Sequence, residues 1–312
     1  MANKVAWSES RIKKFRECPR AYWFSYYLSN NGWRPDASER SKLAYRLKKI
    51  TNLAMWCGSV VHNVIEFAIK SKLSTGILTS PSDMKSKAIK MFRDGWKESI
   101  TKEWMNRPSK AVNLAEHYFK TGASNDQAKT IKDKAMKCID NLHLTAHWDN
   151  LMSLQRDDIF PVEQFATFNL TGGEPVMVKL DAAYKYHDSV VLVDWKTGKP
   201  NDFISEQMMT YAMFALKSGW TKRVGNILLS PVFLGSEKQW DVETTIKVDM
   251  DRLKAQADVI KREQHILDEI DSYSDDESRF AATGNTYTCT SCNFRTICPR
   301  QGNYTCVETP FD

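Results

Sequence analysis

Hydrophobic and polar positions change rhythm about halfway along the chain. Residues 8–28, SESRIKKFRECPRAYWFSYYL, follow a helical period with an unusual load of aromatics, and Pro19 is expected to interrupt or restart that helix just after Cys18. Residues 30–50 are polar and basic and are expected to be mobile. From Gly58 to about Lys72, the recurrence of Val61, Ile65, Ala68 and Ile69 predicts an amphipathic helix. Residues 82–150 read as helical throughout, broken around Arg107-Pro108 and again near Gly122. The period then shortens. Residues 158–170 (DIFPVEQFATFNL), 176–186 and 189–195 are runs of β-formers, with His187-Asp188-Ser189 as a hairpin turn. Residues 203–218 return to a helical period, 224–234 predict another strand, and about 249–271 a final charged helix. No internal repeat or low-complexity tract is present. A central group of strands flanked by helices predicts an α/β or α+β domain, with the helical stretch from 82 to 150 as an insertion capping one side of the sheet.

Composition narrows the class without choosing within it. The 312 residues suffice for one large domain or two small ones, and 42% hydrophobic with 26% charged residues is ordinary for a globular protein. No run approaches the roughly 18–20 uninterrupted apolar residues of a membrane span. The N-terminus, MANKVAWSESRIKKF, lacks the apolar stretch of a secretory signal, so a cytoplasmic location is expected. A net charge of +6 suits a polyanionic partner but decides little by itself. Seven cysteines, an odd number in so long a chain, argue against a disulfide framework.

The segment VMVKLDAAYKYHDSVVLVDWKTGKP carries the clearest candidate chemistry. Side chains alternate along a strand, so Asp194 and Lys196 point the same way at the exit of an apolar strand. A hairpin paired about its short turn brings Asp181, inside the preceding strand, across from Asp194. Two carboxylates held together repel unless a cation neutralises them, and a divalent metal does so. Lys196 beside it would orient or deprotonate a water that attacks a phosphodiester. His143 and His147 are spaced i, i+4, but the glutamate of the zinc-protease motif is absent and a solvated helix face is the simpler expectation. No Walker-type phosphate loop appears.

Near the C-terminus, CTSCNFRTICPR supplies Cys289, Cys292 and Cys298. A Cys-x-x-Cys pair with a third thiol six residues on presents three ligands to one metal. The fourth ligand is open among Cys18, Cys306, Cys138 and Cys57, and with Cys306 the group would be a local zinc knuckle.

In these segments the chain resembles the RecB-like branch of the PD-(D/E)XK nucleases, most closely the CRISPR-adaptation exonucleases and the nuclease domain of AddB-type repair subunits. The resemblance runs from Phe15 to Cys298, with the helical middle unmatched. It implies a restriction-endonuclease-like core sheet and a metal, manganese or magnesium, held by His62, Asp181, Asp194 and the main-chain carbonyl of Trp195. His62 lies in CGSVVHNVIEFA, four residues after Gly58, and matches the family's histidine motif; Lys196 would be the catalytic lysine. Gln207 and Tyr211, in EQMMTYAMFA, match the branch's Gln-x-x-x-Tyr helix, and Glu163, in PVEQ, the glutamate that often precedes the hairpin. Where the family has glycine three residues before the hairpin aspartate, this chain has Val178, whose side chain would narrow the approach of DNA or pack differently. FRECPRAYWFSYY matches the N-terminal Phe-x-x-Cys-Pro element of the iron–sulfur members, so the resemblance favours Cys18 as the fourth ligand of a 4Fe-4S cluster with Cys289, Cys292 and Cys298. Such a clasp would close a loop of some 270 residues, worth on the order of 4–5 kcal/mol by analogy with a long disulfide loop. It would also shape a DNA-binding surface.

The organisation implied is an N-terminal aromatic and cysteine element over 1–50, a helical region with the histidine motif over 51–156, the nuclease core over 157–270 and the cysteine region over 271–312. The activity implied is that of a metal-dependent exonuclease at DNA ends or single-stranded regions, with protein partners in a repair, phage, CRISPR or defence complex. Two alternatives stand beside it. One is a non-catalytic DNA-end-binding or scaffolding subunit of the same fold, against which the intact Asp181, Asp194 and Lys196 speak; the other is a zinc-stabilised binding protein with a chance Asp-x-Lys.

Overall fold

The computed structural model describes residues 5–161, 165–199, 204–237 and 243–298. In chain order the helices are α1 (Glu9–Glu17), α2 (Pro19–Trp23), a π-helical turn (Phe24–Leu28), α3 (Glu39–Lys48), α4 (Leu53–Thr75), α5 (Pro81–Ile100), α6 (Ala115–Tyr118), α7 (Asn125–Leu142) and α8 (Ala146–Ser153). Five strands follow: β1 (Phe165–Asn169), β2 (Pro175–Lys179), β3 (Ala182–Tyr186), β4 (Ser189–Lys196) and, after α9 (Ile204–Lys217), β5 (Ile227–Phe233). The helices α10 (Met250–Asp271) and α11 (Thr286–Thr290) complete the described chain. No helix among the described residues is long and apolar enough to cross a membrane.

The chain divides into two compact units. One takes residues 53–94 and 123–262, the other residues 5–52, 95–122 and 263–298. The predicted helical insertion is therefore not one block: its middle, 95–122, belongs to one unit and its flanks to the other.

In the first unit, β3 pairs antiparallel with β4, and β4 pairs parallel with β5. β4 is buried over Val190–Trp195, as expected of a central strand covered on both faces. The β3–β4 turn is tighter than the sequence predicts: Tyr186 pairs with Ser189, leaving His187 and Asp188 as a two-residue loop. His187 has φ 51°, the left-handed conformation that such turns need. The single strand expected over 176–186 is also two. β2 pairs with β1 in a separate two-stranded sheet, and the chain bends at Leu180 and Asp181 before β3 begins. The bend has a physical cause at Asp181, whose carboxylate is taken up by a main-chain N–H of β4 rather than left on a strand face. Val178 is buried, 5% exposed, so its side chain packs into the core and does not obstruct the surface of this hairpin.

Around the sheet, α4 buries a stripe that includes Trp56, Val60 and Val64, each one turn after the last. α7 begins with a reciprocal capping box between Ser124 and Gln127, worth about 1 kcal/mol. α9 buries residues nearly all round, from Met208 to Met213. His147 on α8 is not on a solvated face: Nδ1 lies 2.7 Å from the Tyr184 hydroxyl of β3 and Nε2 lies 2.6 Å from the Ser230 hydroxyl of β5.

In the second unit the N- and C-terminal segments interlock. The helix restarts at Pro19, as expected: the Cys18 N–H closes α1 on Lys14, its sulfur accepts from Ala21 N at the start of α2, and Pro19 occupies the first turn. Trp23 Nε1 donates to Ser274 O at 2.7 Å, Arg20 N to Ala281 O at 3.1 Å, and the Phe24 ring meets Phe294 at 5.3 Å. The segment expected to be mobile holds α3, capped by Ser38, with Ala44 and Leu47 fully buried. Two apolar side chains three apart suffice to seat a helix that is otherwise basic.

Candidate active site

The bend before β3 and the end of β4 bring the two hairpin carboxylates together. Ala182 pairs with Val193, so Asp181 is level with Asp194. Both are buried, at 7% and 2% exposure. Asp181 uses Oδ2 to accept from Trp195 N at 2.9 Å, while its Oδ1 lies 3.3 Å from His62 Nδ1 on α4. Asp194 Oδ2 makes no well-directed hydrogen bond, and the Lys196 ammonium stands 2.7 Å from it. The Asp194 carboxyl is pushed up to about 6, first by burial and then by Asp181, against the opposing pull of Lys196 and His62.

Lys196 is held from its other side. Its Nζ donates to Gln207 Oε1 at 3.1 Å, Gln207 Nε2 donates to Tyr211 Oη at 2.6 Å, and Tyr211 donates to the Lys179 carbonyl at 2.9 Å. Gln207 and Tyr211 are one turn apart on α9, which lets one helix face position both. Tyr211 Oη is also 3.5 Å from Asp194 Oδ1, and its phenol is held well above its ordinary value by burial and the two carboxylates. The structure thus groups His62, Asp181, Asp194, Lys196, Gln207 and Tyr211 in one unit. Trp195 is fully buried and contributes its N–H to Asp181. Glu163 lies outside the described residues.

Two glycines let this group close up. A Cβ on Gly58 would stand 3.2 Å from Thr197 Oγ1, and one on Gly235 would overlap the Thr197 carbonyl. Gly58 therefore admits α4 to the turn after Lys196, one helical turn before His62, while Gly235 admits the chain leaving β5. Thr197 and Gly235 carry no signal in the sequence beyond being small residues that flank a strand end.

The described cysteines divide into two groups. Cys57 and Cys138 are buried between α4 and α7, burial pushing both thiols up. In the other unit, Cys18 Sγ accepts from Ala21 N and Thr283 N, each at 3.4 Å, and Cys292 Sγ accepts from Phe294 N at 3.4 Å. Burial, then neighbouring thiols including Cys18 and Cys289, raises Cys292 and brings Cys298 up to about 11. Cys306 lies outside the described residues.

Among the described residues, no set of three or more His, Cys, Asp or Glu is already spaced around a metal ion, at the carboxylates or at the thiols. The donor chemistry at the carboxylates nevertheless fits a divalent cation. Two buried acids and an imidazole converge there, and an orphaned oxygen on Asp194 faces a cation, at present the Lys196 ammonium. The thiols fit a metal less completely: main-chain N–H groups aimed at sulfur stabilise thiolates, but the sulfurs are not yet gathered.

No curated protein matches the chain. The sequence profile of the PD-(D/E)XK nuclease superfamily matches residues 6–299, which takes in both units, the carboxylate pair and the cysteine segment, and the chain belongs to that superfamily.

Proposed function

We propose that the protein is a metal-dependent deoxyribonuclease that hydrolyses phosphodiester bonds at DNA ends. The observation carrying this reading is the buried Asp181–Asp194 pair at the exit of β4, with Lys196 beside it. Two carboxylates so far from water are costly unless a cation completes their charge balance. His62, Asp181, Asp194 and the Trp195 carbonyl would hold a divalent ion, which when bound polarises the phosphodiester and lowers the pKa of a coordinated water. The remaining work belongs to the chain itself. Tyr211 fixes Gln207, Gln207 fixes the Lys196 ammonium, and Lys196 orients the attacking water and offsets charge growing on the phosphate. Asp181 accepts from Trp195 N with one oxygen, which holds the other in place beside His62.

An imidazole in the ligand set favours manganese over magnesium, a hard ion that prefers oxygen donors. In the other unit, the reading places a 4Fe-4S cluster on Cys18, Cys289, Cys292 and Cys298, supported by the N–H groups aimed at Cys18 and Cys292. The test is cleavage of end-labelled linear and circular DNA with each metal, for the wild type and His62→Ala. Linear DNA should be degraded, faster with manganese, and His62→Ala should need more manganese. Equal cutting of circular DNA would refute the preference for ends; a metal dependence unchanged in His62→Ala would remove His62 from the site.

A further inference from the structure

The chain's positive charge is concentrated. Residues 9–49 hold eleven Lys and Arg against four Asp and Glu, a net of +7, whereas the whole chain carries +6. Several of these cations are tied down: Arg16 faces Glu263, and Arg20 and Arg40 share Glu277. Arg11, Lys48 and Lys49 differ, because among the described residues none has a carboxylate within 4.0 Å.

These three gather around aromatic rings. The Arg11 guanidinium lies 4.3 Å from the Tyr26 ring centroid and the Lys48 ammonium 5.0 Å from the same centroid. Lys49 stands 5.5 Å over Tyr45, and the fully buried Tyr22 backs the Tyr26 ring from the core, the two centroids 4.7 Å apart. Like charges drawn to one ring repel: the Lys48 ammonium is held below its ordinary value by burial, then by Lys49 and Arg11. Tyr26 itself sits on the π-helical turn Phe24–Leu28, a rare geometry that concentrates at functional sites. As whole residues Lys48 and Lys49 nevertheless keep exposed surface.

We propose that Arg11 and Lys48 over the Tyr26 ring, with Lys49 over Tyr45, form a phosphate-binding site for the nucleic-acid backbone in the unit that lacks the carboxylate pair. Each cation supplies N–H donors to a phosphate, and the half-exposed tyrosine supplies a face on which a neighbouring base or sugar rests. An acidic protein would satisfy the cations but make no such use of the ring. The choice of nucleic acid as the polyanion rests on the nuclease reading; the charge cluster does not.

The experiment measures anisotropy of a fluorescein-labelled single-stranded oligonucleotide, with the full chain in EDTA, across a range of salt. Lys48→Gln with Lys49→Gln should lower the slope of log affinity against log salt by roughly 1.4, at about 0.7 per lost single-strand phosphate contact, and weaken low-salt binding about tenfold. Arg11→Gln should lower the slope by about half as much. Lys254→Gln with Lys261→Gln, on α10, removes equal charge elsewhere and should leave it unchanged. Hydrolysis of bis(p-nitrophenyl) phosphate, too small to span two sites, should be unaffected in every variant. A slope unchanged in the Lys48/Lys49 variant, or lowered equally in the α10 control, overturns the proposal. So does polyglutamate that displaces the oligonucleotide as well as unlabelled DNA does, which would reassign the cluster to an acidic protein. Wild-type protein that binds DNA with the expected slope but hydrolyses no phosphodiester would refute the nuclease reading and leave this site standing.

Discussion

Replacing Asp194 with Asn should make the metal-free protein more stable at neutral pH while removing its proposed chemistry. The Asp194 carboxyl is raised from 3.8 to about 6, first by burial and then by Asp181. A folded-state value above the unfolded one means that the folded chain holds this proton more tightly. Stability from this group is therefore intact below about pH 4, falls as pH rises toward 6, and stays low above it. Roughly two units at about 1.4 kcal/mol each give a penalty on the order of 3 kcal/mol at pH 7, with the opposing attraction of Lys196 and His62 already included. Asparagine keeps the shape of the protonated acid and never ionises. For a chain of 312 residues unfolding as a whole, the gain corresponds to a Tm higher by about 5 °C. Melting curves in EDTA from about pH 4 to 7 should show the wild type losing stability relative to Asp194→Asn as pH rises, with the two converging in acid. Added manganese should raise the Tm of the wild type and leave that of the variant nearly unmoved. Curves that run parallel across the range, or a variant less stable at pH 7, would refute the reasoning that this buried pair lacks charge balance.

Three further outcomes follow from the packing. Gly58→Ala gains up to about 1 kcal/mol of helix propensity but sets a methyl 3.2 Å from Thr197 Oγ1; thermal stability should change little while kcat falls several-fold, and Thr197→Ala in the same chain should restore it. If the proposed cluster is present, anaerobically purified protein should be brown with iron and sulfide, and Cys18→Ala should lose them; if Cys306→Ala does so and Cys18→Ala does not, the fourth ligand is misassigned. His147→Ala leaves the Tyr184 and Ser230 hydroxyls without their shared partner and should cost about 1–3 kcal/mol in urea denaturation, with kcat unchanged.

The approach of Asp181 to Asp194 is legible in the sequence because a short turn and the period of two leave one register open to β3 and β4. The bend that separates β2 from β3 is not, since Lys179-Leu180-Asp181-Ala182 holds no Gly or Pro to mark a break between the β-formers on either side. Only the tertiary hydrogen bond from Trp195 N reveals it. The same limit applies to His147, whose partners Tyr184 and Ser230 are 37 and 83 residues away, so that local spacing suggested solvent where the fold supplies a network. α3 was hidden by its basic surface, because Ala44 and Leu47 are its only buried side chains among many charges. The π-helical turn has no sequence signature at all in a segment where every aromatic fits an α-helix equally well.

The proposed nuclease activity requires Lys196 to serve chemistry at a strand end rather than packing. Its Nζ is held by Asp194 and Gln207, so Lys196→Ala should remove transition-state stabilisation while leaving DNA binding almost untouched. The direct test is to measure single-turnover cleavage of end-labelled DNA with manganese and, in EDTA, the affinity for the same DNA. Cleavage should fall by a factor on the order of 1,000 or more, with affinity within about threefold of wild type. Cleavage by a clean Lys196→Ala preparation at a rate close to wild type would contradict this role for Lys196.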